Sequence, residues 1–307
     1  MPRLTPWQSR ARRGMTIAEL LVTLAIVSLI GVVVSRLMMG QQRFYQRTNE
    51  QMGMRRELRS AMSLVPADLR SVSSSGGDLT AMGTSSVSFR SVLGASIICA
   101  RVSNTVVDLP PTNMARNTLS AWYADPAVGD TMWAFNDSLS RGAEDDVWTP
   151  LRVTAVATSS GCTPSPYLDA ALDASKPRWR ITVTPALPDS VKVGSAIRFT
   201  RSARYQLEAQ GSGDYYLTRS EYMGGAWGAS TPVSGPYAPP VSGGGGIRFA
   251  YFDSLGAAVT NVADSRRVAR IDLLLRAKGA NSSGTFGTSS TQNTDSLAFR
   301  IALRNRQ

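Results

Sequence analysis

The residue pattern predicts an α+β chain: a long N-terminal helix ahead of a β-rich globular head. Three observations predict it. Ile17–Met39 is an apolar run of 23 residues, apolar residues then recur every three or four positions as far as Leu69, and from Val87 onward short β-branched and aromatic runs are divided by Gly, Pro, Ser and Asp.

At 307 residues with 43% apolar content, the chain can build a substantial core, as about two domains or one large β domain with an appendage. Its net charge is +11, and it contains no histidine. That removes His-based triads, His general bases and His-ligated zinc, and two cysteines cannot make a four-Cys metal site. No cofactor motif is present: Gly243–Gly246 is followed by a predicted strand and lacks the Gly-Lys-Ser/Thr of a phosphate loop, and no G-x-S-x-G elbow occurs. The basic excess is almost wholly arginine, since Lys176, Lys192 and Lys278 are the only lysines. Beyond Arg10–Arg13 it forms no dense run, so patterning permits nucleic-acid binding without favouring it.

Residues 1–14 carry Arg3, Arg10, Arg12 and Arg13 and no acid. The run after Gly14 spans roughly 34 Å as a helix, enough to cross a hydrocarbon core of about 30 Å. A cleaved secretory signal expects a shorter run and an A-x-A-like site, which the Leu37-Met-Met-Gly40 exit does not offer. An ordinary signal anchor accounts for everything except Glu19. An acid in a spanning helix costs on the order of 3 kcal/mol and calls for a partner. A cut after Gly14 would make Met15 the first residue and Glu19 the fifth, with a new α-amine within about one helical turn of the carboxylate. The free N–H groups of the first turn are a second set of partners.

Arg12-Arg13-Gly14 followed by Met15-Thr-Ile-Ala-Glu19-Leu-Leu-Val resembles the leader of type IV prepilins. The resemblance implies a type IV pilin-like fold, with the long helix packed under the head. It implies cleavage between Gly14 and Met15 by prepilin peptidase, a membrane aspartyl protease, then N-methylation of Met15, with Glu19 as the assembly carboxylate. Met stands where the family usually has Phe. The resemblance also implies an inner-membrane, single-pass protein with a cytoplasmic N-terminus and an extracytoplasmic head. Arg36, Arg43, Arg47, Arg55 and Arg56 beyond the span blunt the positive-inside asymmetry, so the charge count alone does not set the orientation. The expected organisation is a cleaved leader (1–14), a transmembrane helix (15–40), an amphipathic helix (41–72) and a head (73–307).

Phe44, Thr48, Met52, Arg55, Leu58, Met62, Val65 and Leu69 give the second helical segment a period near 3.6, with its stripe expected to pack under the head. Pro66 is expected to kink or end that helix, and Ser71–Gly77 to form a loop. Expected strands are Val87–Val92, Ser96–Val102, Thr131–Phe135, Leu151–Ala157, Arg178–Thr184, Ala196–Leu207, Tyr215–Ser220, Ile247–Phe252, Val268–Arg276 and Leu297–Leu303. In the fifth of these, Trp179, Ile181 and Val183 alternate with Arg178, Arg180 and Thr182. Gly224–Gly246 and Thr285–Thr294 read as excursions between strands.

Several head segments resemble PilW-type minor pilins: Gly129-Asp130, Trp148, Val153-Thr-Ala-Val156 leading to Cys162, Arg204-Tyr-Gln-Leu207, Tyr216-Leu-Thr-Arg219 and Ile247–Asp253. The closing Phe299–Asn305 resembles both that group and the J-type pseudopilins of type II secretion. Length favours the former, and Glu at the fifth mature position separates the chain from K-type pseudopilins. In an extracytoplasmic head, Cys99 and Cys162 are expected to form a disulfide, the alternative being one buried thiol and one incidental turn thiol. Glu144-Asp145-Asp146 reads as a solvated turn rather than a calcium site. Trp122, Tyr123, Trp227 and Tyr237 are either packing residues or an adhesive surface.

The expected function is therefore non-enzymatic: a minor pilin assembled at or near the tip of a type IV pilus through its N-terminal helix, with other pilins or pseudopilins as partners. The alternatives are a minor pseudopilin of type II secretion and a filament-tip adhesin or DNA-binding module.

Overall fold

The computed structural model of the 307-residue chain describes residues 14, 16–116, 119–136, 147–162, 166–169, 171–211, 213–240, 245–283 and 291–303. Outside them lie Arg3, Arg10, Arg12, Arg13, Met15, the Glu144–Asp146 cluster, Arg304, Asn305 and much of the 285–294 excursion. The chain divides into two compact units, Met1–Met52 and Gly53–Gln307.

A 54-residue helix, α1 (Ile17–Arg70), provides the described structure of the first unit and opens the second. In the first unit every residue from Ile17 to Arg47 is exposed. The most apolar stretch has a mean hydropathy of 2.7, and the helix is long and apolar enough to cross a membrane.

In the second unit the helical period turns amphipathic, and Met54, Leu58, Ala61, Val65 and Leu69 form a buried stripe. The helix does not stop at Pro66. It continues to Arg70 with Pro66 itself buried. Val65 and Leu69 on either side are wholly inaccessible, and their burial outweighs the one intrahelical bond that proline removes. The helix closes on bonds from the N–H groups of Ser71 and Val72 to the carbonyls of Asp68 and Leu69, and the chain then turns through Gly77 at φ +77°.

The head's strands are β1 (Leu79–Met82), β2 (Ser86–Ile97), β3 (Ala100–Arg101), β4 (Val106–Asp108), β5 (Ala121–Trp122), β6 (Thr131–Asn136), β7 (Val147–Ser159), β8 (Arg178–Thr184), β9 (Ala196–Ala209), β10 (Tyr215–Met223), β11 (Ala226–Trp227), β12 (Thr231–Tyr237), β13 (Ile247–Phe252), β14 (Arg270–Ser283) and β15 (Thr291–Ala302). All described pairings are antiparallel. The 14-residue β9 is the spine. β2 pairs along its length on one side, while on the other β10 takes residues 203–209 and β6 takes residues 197–200.

This arrangement sets two cores side by side on one face of β9. Ala203 and Tyr205 face the first, where the helical stripe packs with Phe89, Leu217, Phe249, Leu273 and Ile301. Ile197 and Phe199 face the second, built from β2, β4, β6, β7 and β8 with Met132, Leu151, Ile181 and Val183. Between the two pairs stands Arg201, also buried.

Several strands differ from the sequence expectation. Val87–Val92 and the start of Ser96–Val102 are one strand, β2, which bulges near Gly94. β5 crosses so close there that a Cβ on Gly94 would lie 2.5 Å from the Trp122 ring, so only glycine fits. The Gly224–Gly246 excursion contains β11 and β12. In β12, Pro232, Gly235 and Pro236 read as breakers, and the strand tolerates them with shifted registers and a single pairing to β14. β15 begins at Thr291, inside the second expected excursion. Arg178, which alternates with the apolar residues of β8, is itself buried, with its guanidinium donating to the carbonyls of Ser160, Gly161 and Asp173.

Candidate functional site

At the start of α1 the residues Thr16-Ile-Ala-Glu19 form a reciprocal cap. The Glu19 N–H donates to Thr16 Oγ1 at 3.3 Å, and Glu19 Oε2 accepts from the Thr16 N–H at 3.4 Å and lies 3.5 Å from its hydroxyl. This is the S/T-x-x-E capping box, which satisfies two otherwise orphaned donors at the positive end of the helix. The signal is present in the sequence: threonine followed three residues later by glutamate, ahead of an apolar run. The backbone N–H groups expected as a second set of partners for Glu19 are represented by that of Thr16, whose side chain completes the cap. The cap turns the carboxylate toward the backbone preceding the helix, one residue from Met15. Gly14 is exposed, and a Cβ built on it meets nothing within 4 Å, so packing does not require glycine there.

Cys99 and Cys162 are joined as a disulfide, with Cα atoms 5.3 Å apart and both residues buried. Cys162 sits at φ +74°, in the left-handed region, on the loop that Arg178 holds through Gly161. Arg180 grips Asp108 with two bonds of 2.8 and 2.9 Å, and the Asp108 carbonyl receives the Cys99 N–H. The bridge thus ties the loop after β7 to the segment just before β3.

The head's densest chemistry lies between its two cores. Arg201 makes a bidentate pair with Asp130 (2.8 and 2.9 Å), donates to the Asp125 carbonyl, and reaches Glu221 at 3.1 Å. Glu221 also accepts from Arg219, whose Nε donates to Asp68 on α1, and Asp68 takes the Tyr205 hydroxyl at 2.8 Å. Burial and then the Asp68 charge push the Tyr205 hydroxyl far above its ordinary range. Burial works against the Glu221 anion, but hydrogen bonds from Arg219 and Arg201 prevail and hold its carboxyl below its usual value. Six side chains from the helix, β9, β10 and the turn before β6 therefore form one connected layer. Apart from Arg219 and Glu221, two positions apart on β10, its bonded partners lie at least 20 residues apart, beyond any local motif. The one legible sign is a lone Arg201 at an inward position of an apolar strand.

Of the four aromatics considered for a surface, Tyr237 is fully buried in the first core. Trp122 packs between Trp179 and Phe199 in the second. Tyr123 is exposed, and Trp227 lies partly exposed beneath Arg204. A concavity of about 430 Å³ on β13, β14 and β15 is lined by Arg248, Asp272, Phe299 and Arg300. Its carboxylate, Asp272, forms ion pairs with Arg270 and Arg300. Among the described residues no group of three or more Cys, Asp or Glu side chains is placed to hold a metal ion.

No family model matches this chain, and neither a curated protein nor a solved structure matches it.

Proposed function

We propose that this chain is a minor pilin: a non-enzymatic subunit cut after Gly14 by prepilin peptidase, N-methylated on Met15, and assembled at or near the tip of a type IV pilus through α1. The observation that carries the reading is an apolar helix with no buried residue from Ile17 to Arg47 and a single carboxylate, Glu19, capping its first turn just after a glycine that packing does not require. An apolar surface of that extent needs lipid or other helices around it. A carboxylate at its start is stable there only with a counter-charge or donors. Cleavage creates the counter-charge, an α-amine at the residue preceding the Thr16–Glu19 cap. In a bundle of such helices the amine of one subunit can meet the Glu19 of its neighbour, and a dry setting strengthens the pair while making an unpaired charge costly. A head held together by a disulfide fits an oxidising compartment outside the inner membrane.

The test is intact-mass analysis of the protein purified from its native membrane, alongside Gly14→Glu and Glu19→Ala variants. The native form should begin at N-methylated Met15. Gly14→Glu should retain the leader, Glu19→Ala should be cut, and neither should enter filaments. Filaments that incorporate chains with the leader still attached would end the proposal.

A further inference from the structure

On the face of the head opposite the two cores, arginines and tryptophans from five strands form a row. Trp133 lies on β6 with its indole N–H donating to Thr200 of β9, and Arg90 and Arg198 stand over its ring at 5.4 and 5.0 Å. Arg198 also stands 5.3 Å from the ring of Trp148, which packs against Phe135. Two positions along β9 from Ser202, the partner of Arg90, Arg204 stacks on Trp227 at 4.4 Å. Arg152 shares the face, two positions beyond Pro150, the partner of Trp133. Among the described residues Arg152, Arg198 and Arg204 have no ion-pair partner, and the Nε of Arg198 is buried without a hydrogen bond. Asp78 lies 4.0 Å from Arg90, and burial raises its pKa against the lowering charges of Arg198 and Arg90.

A guanidinium held over an indole has already lost much of its freedom, so it can grip an oxyanion at low entropic cost. Trp148 and Trp227 are each more than a third exposed as residues and offer planes for flat ring systems. Fixed forks alternating with open aromatic planes match a polymer whose oxyanions alternate with aromatic rings. We propose that this face binds single-stranded nucleic acid, with Arg90, Arg152, Arg198 and Arg204 on its phosphates and Trp148 and Trp227 stacking on its bases. The site is independent of how the N-terminal helix is processed.

The full chain in non-ionic detergent is titrated by fluorescence anisotropy against a labelled oligothymidylate of about 12 nucleotides across a salt series. Affinity should fall steeply with salt, and the Arg90→Gln/Arg198→Gln double variant should flatten the logarithmic slope by about 1.4, at about 0.7 for each phosphate no longer neutralised. Trp148→Leu should weaken the oligonucleotide at least about fivefold while leaving heparin binding unchanged, and Arg300→Gln, on β15, should change neither. Should circular dichroism show the double variant misfolded, the exposed Arg152→Gln decides: a slope reduced by about 0.7 supports the site, and an unchanged slope overturns it. Absence of salt-dependent binding overturns the proposal. So does tighter binding of heparin than of the oligonucleotide with both indifferent to Trp148→Leu, which would reassign the face to acidic polysaccharides.

Discussion

The two cores of the head share a strand pair but are closed by different means. The first is covered by a helix whose stripe from Met54 to Leu69 lies over the inner faces of β2, β9, β10, β13 and β14. The second has no helix over it among the described residues and is closed by strands and by Ile98, Leu109, Leu187 and Val191 on the connections, with Trp122 and Trp179 packed against it and the Cys99–Cys162 bridge beside it. A helix stripe supplies large apolar area from one contiguous segment, whereas short strands such as β3 and β4 contribute little each and gain from a covalent tie. Where one cover gives way to the other, the inner face of β9 carries Arg201 in place of an apolar residue, and Asp68 at the end of the helix joins the same polar layer. The long β2–β9 ladder is therefore continuous while its apolar filling is not.

The junction between the cores is where substitution should do most damage. Arg201→Met leaves Asp130 buried without its bidentate partner and should cost about 5 kcal/mol in urea unfolding of the full chain in detergent, with much of it recovered when Asp130 is also made apolar. A loss under about 1 kcal/mol would mean that the layer does not couple the cores. Replacing both cysteines by alanine reopens a loop of 63 residues and should cost about 4 kcal/mol on the chain-entropy argument. Hydrogen exchange should then accelerate in β3, β4 and β8 and stay slow in β9, β10 and β14. In the helix-backed core, Leu58→Ala should cost about 3 kcal/mol, with the opposite exchange pattern. Tyr205→Phe removes only the hydroxyl bonded to Asp68 and should cost about 1 kcal/mol. The smallest effect concerns pH. The Glu221 carboxyl titrates below its ordinary 4.5 in the folded state, so the unfolded chain binds that proton first on acidification. Its stabilisation is fully present above 4.5 and is lost as pH falls through the lowered value, so Glu221→Gln should flatten the acid limb of the stability profile.

Much of the layout can be read without coordinates because it rests on local repetition. The run from Ile17 and the stripe through Leu58, Val65 and Leu69 declare a helix by spacing alone, and alternation in Ala196–Leu207 and Tyr215–Ser220 declares strands. Where composition and position conflict, local reading fails. Pro66 reads as a kink or a stop, and the helix continues through it to Arg70 with buried residues on both sides. The Pro/Gly-rich β12 reads as a loop but is kept extended beside β10. Alternation separates Arg178 from Ile181 and Val183 but does not show that it is buried, with three carbonyls around its guanidinium.

The apolar helix, the capped acid at its start and the β character of the head are all written in the chain itself, since each depends on residues a few positions apart whose geometry the backbone fixes. Folding in three dimensions was needed for Arg201 to meet Asp130 across 71 residues, for Arg219 to meet Asp68 across 151, and for four scattered arginines to share one sheet face with three tryptophans. Strand order and register bring such pairs together, and both are set by burying whole faces at once, which no short stretch of sequence encodes.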